Sequence, residues 1–82
     1  MKAKLTTTEQ FNAALGRVLR EIRVEAGISQ EQMAAKLKVH PNTVSNYERG
    51  AGIQTAVFIF ACMALKRPAY QVLSEVMDHH AQ

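Results

Sequence analysis

The fold of this chain depends most on residues 28–50, which read ISQEQMAAKLKVHPNTVSNYERG. Ser29 and Gln32 have the spacing of a capping box, which predicts the start of a helix. Pro41 is well placed as the first residue of another helix, and Gly50 ends it. The segment therefore predicts two short helices joined by a tight turn.

The two short helices carry small or apolar residues on one side and short polar residues on the other. Ala34 is small enough for a close crossing with Val44 of the next helix. Asn42 and Asn46 are four residues apart and so share the opposite face. Short amides let a helix approach base edges closely, and asparagine can bond adenine through two hydrogen bonds. This layout is typical of a helix-turn-helix whose second helix enters the major groove of DNA; the alternative is an ordinary polar surface on a helical bundle.

Three further helices are predicted around this segment. Thr7 and Gln10 form a capping box before an amphipathic helix, which ends at Gly27. The fold class expected is all-α: one compact domain over residues 7–82, preceded by a flexible basic arm at residues 1–6. Its five helices are predicted at residues 8–26, 30–37, 41–49, 55–65 and 68–79.

Composition limits the classes of protein that need to be considered. The 82 residues suit one domain, and 48% of them are apolar, which is enough for a packed core. The formal charge of +3 is compatible with nucleic acid. The single cysteine excludes an intramolecular disulfide and fits a cytoplasmic protein. The longest apolar run, residues 56–65, is too short to cross a bilayer, so no membrane association is expected.

The sequence contains no pattern that predicts catalysis. His79 and His80 are adjacent near the C-terminus and lack the further, spaced ligands that a metal needs. Cys62 lies on an apolar helix face, which predicts a buried, unreactive thiol. We therefore expect no enzyme activity, metal, cofactor or small-molecule ligand.

The chain resembles the phage-repressor and Cro-like (XRE) helix-turn-helix family. The residues that carry the resemblance read LREIRVEAGISQEQMA from Leu19 and VSNYERG from Val44. The match extends from about residue 15 to 73 and is strongest over residues 19–50. It implies a lambda-repressor-like five-helix domain that binds double-stranded operator DNA, usually as a dimer on a palindrome.

The resemblance also implies roles for individual residues. Arg23 and Glu48 match a partly buried ion pair that connects the first helix to the third; the alternative is that both are solvated surface charges. The positions that read bases are Pro41, Asn42, Thr43 and Asn46. The resemblance assigns contacts with DNA phosphates to Gln30 and Arg49. Lys38 in the turn and Ser45 beside the asparagines are expected to contact phosphate from their positions in this chain.

Two residues depart from the family pattern. Lys38 stands in the turn where the family usually has glycine, and a left-handed backbone there would cost on the order of 1 kcal/mol. Pro41 replaces a residue that often donates a hydrogen bond to a base, so only an apolar contact, for example with a thymine methyl, is left at that edge. Base reading is therefore expected to depend mainly on Asn42 and Asn46.

The predicted fourth helix is apolar on all sides, and such a helix is usually buried on all sides. Phe58, Cys62 and Leu65 are expected to face the core. A second apolar face then needs cover, either from a second copy of the chain or from the C-terminal segment of the same chain. The homodimer is the preferred prediction, and its interface residues are Ile59, Phe60, Met63 and Val76.

The function expected is a sequence-specific DNA-binding transcriptional regulator, of the repressor or controller type. A homodimer would bind a palindromic operator with the helix over residues 41–49 in the major groove. One alternative is an antitoxin or partner-binding module of the same fold, which holds a protein partner. Another is an architectural protein that binds DNA without sequence preference.

Overall fold

The computed structural model describes residues 7–81, except for the side chains of residues 79–81. These residues form five α-helices and no strand, so the predicted all-α fold is confirmed. The basic arm predicted at residues 1–6 lies outside the described residues. In chain order, the helices are α1 (Thr8–Glu25), α2 (Gln30–Leu37), α3 (Pro41–Glu48), α4 (Thr55–Ala64) and α5 (Ala69–Ala81).

The helix ends differ from the predicted ones by one or two residues. Ala26, Arg49 and Leu65 were predicted as last helical residues, but each is the C-cap that follows its helix. The fifth helix begins at Ala69, one residue after Pro68, and continues to Ala81. These shifts do not change which residues face one another.

Two helices start at the capping boxes that the sequence predicts. The Thr7 hydroxyl oxygen accepts from the backbone N–H of Gln10 at 3.1 Å, and the Gln10 side chain accepts from the N–H of Thr7 at 3.2 Å. Ser29 and Gln32 repeat the arrangement at 3.0 and 2.8 Å. Caps of this kind are typically worth about 1 kcal/mol each, so they fix where α1 and α2 begin.

All five helices contribute to one hydrophobic core. It contains Leu19 of α1, Met33 of α2, Val44 of α3, Phe58 of α4 and Val72 of α5, each at most 1% exposed. The small residue Ala34 is also buried, as a close approach of α2 and α3 requires.

Val76 corrects one prediction about the dimer interface. The residue is 0% exposed and belongs to the core, so it is not available to a second chain. Val72 and Val76 are four residues apart on α5, and this spacing places both on the face that packs inward. Predicting Val76 as an interface residue was therefore wrong.

Cys62 lies in the core and is 0% exposed. Burial raises the pKa of its thiol, and the nearby positive charge of Arg67 offsets this only in part. A thiol that is inaccessible and protonated is a poor nucleophile. Its role in this fold is packing.

The C-terminal helices are short and sharply bent relative to each other. Within the described residues, no single helix is long and apolar enough to cross a membrane. Thr55–Ala64 and Ala69–Asp78 have the required length and composition only when taken together, and they are bent by 115° relative to each other.

Arg67 lies between these two helices and forms ion pairs with Glu25 of α1 at 2.8 Å and Glu75 of α5 at 3.1 Å.

Candidate nucleic-acid interface

A partly buried polar network connects α3 to the two helices before it. The Arg23 guanidinium donates from Nε to Oε2 of Glu48 at 2.6 Å and from Nη2 to Oε1 at 3.2 Å. Its Nη1 donates to the backbone oxygen of Ile28 at 2.8 Å. The side chains of Arg23 and Glu48 are only 11% and 4% exposed. The ion pair implied by the family resemblance is thus formed, and it connects α1 to the C-terminal end of α3.

Gln30 belongs to the same network. Its Nε2 donates to Oε1 of Glu48 at 3.0 Å, so the first residue of α2 is also connected to the end of α3. The residue was predicted to contact a DNA phosphate. The side-chain nitrogen carries a second hydrogen, so a phosphate contact stays a proposal for this residue.

Gly16 sets the distance between α1 and α3, a role that was not predicted from the sequence. A Cβ atom at this buried position would lie 2.2 Å from the backbone oxygen of Tyr47 and 3.0 Å from that of Glu48. Only glycine lets the two helix backbones approach this closely. The available signal was a glycine inside an otherwise regular helix, where it costs about 1 kcal/mol relative to alanine and so calls for a packing reason.

The other side of α3 presents short polar side chains. Asn42 and Asn46 are exposed, while Pro41, Thr43 and Ser45 are half-buried. The helix begins where the backbone N–H of Asn42 donates to Nδ1 of His40 at 3.0 Å. The predicted base-reading residues therefore lie together on one helix, whose inner side is anchored to α1 and α2.

Arg49, predicted to contact phosphate, has a specific partner in the free protein. It is the C-cap of α3, and its Nη2 donates a hydrogen bond to Oδ1 of Asn46. Both side chains are exposed. The structure thus brings one predicted phosphate-contacting residue into direct contact with one predicted base-reading residue.

The turn between α2 and α3 has the left-handed backbone considered for Lys38 from the glycine that the family usually has there. Lys38 is exposed and left-handed, with φ 58° and ψ 44°. Its conformation lets the N–H of Val39 donate to the carbonyl of Ala34 at 3.0 Å, which ends α2. Lys66, after α4, has the same left-handed φ of 59°. Both helices therefore end in a conformation that favours glycine.

Replacing Lys38 by glycine is expected to raise the free energy of unfolding by roughly 1 kcal/mol, because left-handed strain of about 1–2 kcal/mol is removed while the more flexible unfolded chain gains some entropy. Urea unfolding measures the change. Lys66→Gly is the matched control, because it relieves the same strain at a distance from α3. Equal or lower stability of both variants would show that these lysines are not strained.

Comparisons with known proteins agree with this geometry. A helix-turn-helix family model matches residues 19–68. Among solved structures, the chain is similar to the clp gene regulator ClgR from Corynebacterium glutamicum, with 29% identity, a TM-score of 0.81, and coverage of 87% of this chain and 77% of that one. No curated protein sequence matches the chain significantly.

A second similarity concerns the fold alone. A mutant of the restriction-modification controller protein C.Esp1396I has a TM-score of 0.80 at 18% identity, with coverage of 89% of this chain and 99% of that one. The family match spans more than half of the chain and includes all of α2, α3 and α4. The chain therefore belongs to the XRE-type helix-turn-helix family of DNA-binding transcription regulators.

Proposed function

We propose that this protein regulates transcription by binding a palindromic operator as a homodimer, with α3 of each protomer in the major groove. The observation that carries the proposal is the exposed pair Asn42 and Asn46 on a helix whose opposite side is fixed by a buried ion pair. A rigidly held helix with short amides outward can approach base edges closely. The similarity to a protein described as a gene regulator supports the same class of function.

The residues around α3 divide into two groups by the contacts proposed for them. Base edges are assigned to Asn42, Asn46 and Thr43, with Pro41 making an apolar contact. Phosphates are assigned to Gln30, Lys38, Ser45 and Arg49. Contacts from the ends of α2 and the edge of α3 set the depth and register of the helix in the groove. We propose a repressor or controller role, because a protein that occupies an operator near a promoter can regulate transcription without any enzymatic activity.

The dimer is proposed from the exposed face of α4. Phe60 is 51% exposed and Met63 is 65% exposed, while Ile59 is half-buried. The described part of α5 leaves Phe60 and Met63 uncovered, which argues against the alternative that this chain covers its own apolar face. Met77 of α5 adds an exposed apolar side chain, at 58%. A symmetric dimer would place two α3 helices about 34 Å apart, on successive turns of the major groove.

Selection of bound duplexes from a random pool tests sequence-specific binding. The wild-type protein is expected to enrich an inverted repeat. Asn42→Ala should then reduce the ratio of operator to random-DNA affinity by roughly 5- to 150-fold, the equivalent of about 1–3 kcal/mol for one base contact. Ser74→Ala, an exposed change on α5, is the control. Equal affinity for all duplexes would instead indicate an architectural protein, and no binding would refute the proposal.

Met63→Asp is expected to convert the dimer to a monomer, because the carboxylate would be buried without a partner in the proposed interface. Sedimentation velocity at micromolar concentration measures the change in mass. Val24→Asp is the matched control, since Val24 is 56% exposed on α1 and outside the proposed interface. A wild-type protein that sediments as a monomer would contradict the proposed dimer without affecting the assignment of α3.

A further inference from the structure

We infer that Asn46 and Arg49 act as one unit that offers only hydrogen-bond donors to DNA and therefore selects guanine at the base that Asn46 faces. The inference rests on the proposed function, because it requires α3 to lie in the major groove. It assigns Arg49 a part in specificity, where the family resemblance implies a phosphate contact. It also replaces the adenine expected for Asn46 from the sequence.

The backbone fixes Arg49 beside Asn46. The N–H of Arg49 donates to the backbone oxygens of Ser45 at 3.1 Å and Asn46 at 3.2 Å. The backbone N–H of Ala51 also donates to the backbone oxygen of Asn46, at 3.0 Å. The start of the Arg49 side chain is therefore held at the end of α3, three residues after Asn46, the spacing at which helix side chains meet.

The neighbouring carboxylate does not compete for Arg49. Both oxygens of Glu48 are occupied, Oε2 by Arg23 and Oε1 by Arg23 and Gln30. In the part of the chain that the structure describes, Arg49 forms no ion pair. The guanidinium bonds a neutral amide instead. Its positive charge is consequently available to DNA at the same place as the Asn46 amide.

This pairing changes what Asn46 presents to a base. An asparagine bonds adenine by donating from Nδ2 to N7 and accepting at Oδ1 from the N6 amino group. Here one of the two lone pairs of Oδ1 already accepts from a cation, whose positive charge weakens a second hydrogen bond to the same oxygen. The groups left to bond a base are Asn46 Nδ2 and the remaining N–H groups of Arg49, all of them donors on exposed side chains. Guanine is the base whose major-groove edge offers two acceptors, N7 and O6.

Arg49→Met separates this inference from a phosphate contact. In the wild type, the selected operator should carry guanine at one position per half-site, and replacing that G·C pair by A·T should weaken binding about tenfold, within the range of one bidentate base contact. In Arg49→Met the preference at that position should be lost or turn to adenine, while the other positions stay unchanged. Asn46→Ala identifies the position, because it should affect the same base pair.

Lys38→Met is the matched control, since Lys38 is an exposed cation of the same surface without a bond to Asn46. It should weaken binding to all sequences and leave the guanine preference intact. Arg49 is exposed, so its replacement should keep the fold, which thermal unfolding checks. Adenine at the Asn46 position of the wild-type operator would overturn the inference. So would an Arg49→Met protein that binds all sequences more weakly and keeps the guanine preference.

The two proposals fail in different ways. A pool with no enriched motif would overturn the proposed function together with this inference. A pool with a clear inverted repeat, but with no guanine that depends on Arg49, would overturn the inference alone. Only a guanine that requires both Asn46 and Arg49 supports it.

Discussion

Arg23→Met is expected to lower the free energy of unfolding by about 3–5 kcal/mol, the usual cost of removing one partner of a buried ion pair. The Glu48 side chain is 4% exposed and would keep Gln30 as its remaining hydrogen-bond donor. The backbone oxygen of Ile28 would also lose its bond to Arg23. Such a loss is a large part of the total stability of a small domain. Urea unfolding followed by circular dichroism measures it.

The double variant Arg23→Met/Glu48→Met is the control for this experiment. Replacing both charges by apolar side chains of similar length removes the unpaired carboxylate, so the double variant should be more stable than Arg23→Met alone. Arg23→Lys should be intermediate, because one ammonium cannot make the two bonds to Glu48 and the bond to Ile28 together. A double variant that is less stable than the single one would show that the pair is not the main contribution of Arg23.

Gly16→Ala is expected to destabilise the protein by about 2–3 kcal/mol, because the added methyl group overpacks the contact between α1 and α3. The nearest obstacle is the backbone oxygen of Tyr47, 2.2 Å from the new Cβ, and a backbone atom cannot move aside as a flexible side chain does. The gain of about 1 kcal/mol from alanine in a helix offsets only part of this cost. Thermal and urea unfolding both measure the difference.

Gly16→Ala is also expected to change the affinity for DNA. To accommodate the methyl group, α3 must shift away from α1, and the base-facing side chains shift with it. Gly27→Ala is the control: a Cβ there meets no atom within 4 Å, but φ is +73°, so only backbone strain of about 1–2 kcal/mol is expected and binding should be unchanged at saturating protein. If Gly16→Ala were as stable as the wild type, the close approach of the helices would be disproved.

Local features of the sequence predicted most of the fold. The Ser29 and Gln32 capping box and the proline at the start of α3 each depend on residues within a few positions of each other. Such interactions repeat between proteins, so spacing alone reveals them. The ion pair of Arg23 and Glu48 joins residues 25 positions apart, and the family resemblance was needed to pair them.

What the sequence did not predict depends on packing. Val76 and Met77 are neighbouring apolar residues of α5, and the sequence does not show which of them is exposed. The packing of α5 against the core buries Val76 and leaves Met77 58% exposed. Gly16 looks like a weak point in a helix until the backbone of Tyr47 is placed beside it. The bond between Arg49 and Asn46 depends on how Glu48 is already occupied, which no spacing rule contains.

The contacts at the C-terminal end of α1 have a consequence for the spacing between the two half-sites of the operator. Arg23 joins this helix to α3, and two residues later Glu25 bonds Arg67, which in turn bonds Glu75 of α5. The helix proposed to read DNA and the helix beside the proposed dimer face therefore both contact the C-terminal end of α1. In a dimer built this way, the core that all five helices share would set the orientation of each α3 helix relative to the dimer face. One extra base pair between half-sites turns one of them by about 35°, so the protein would measure the spacing of its operator as strictly as the bases within it.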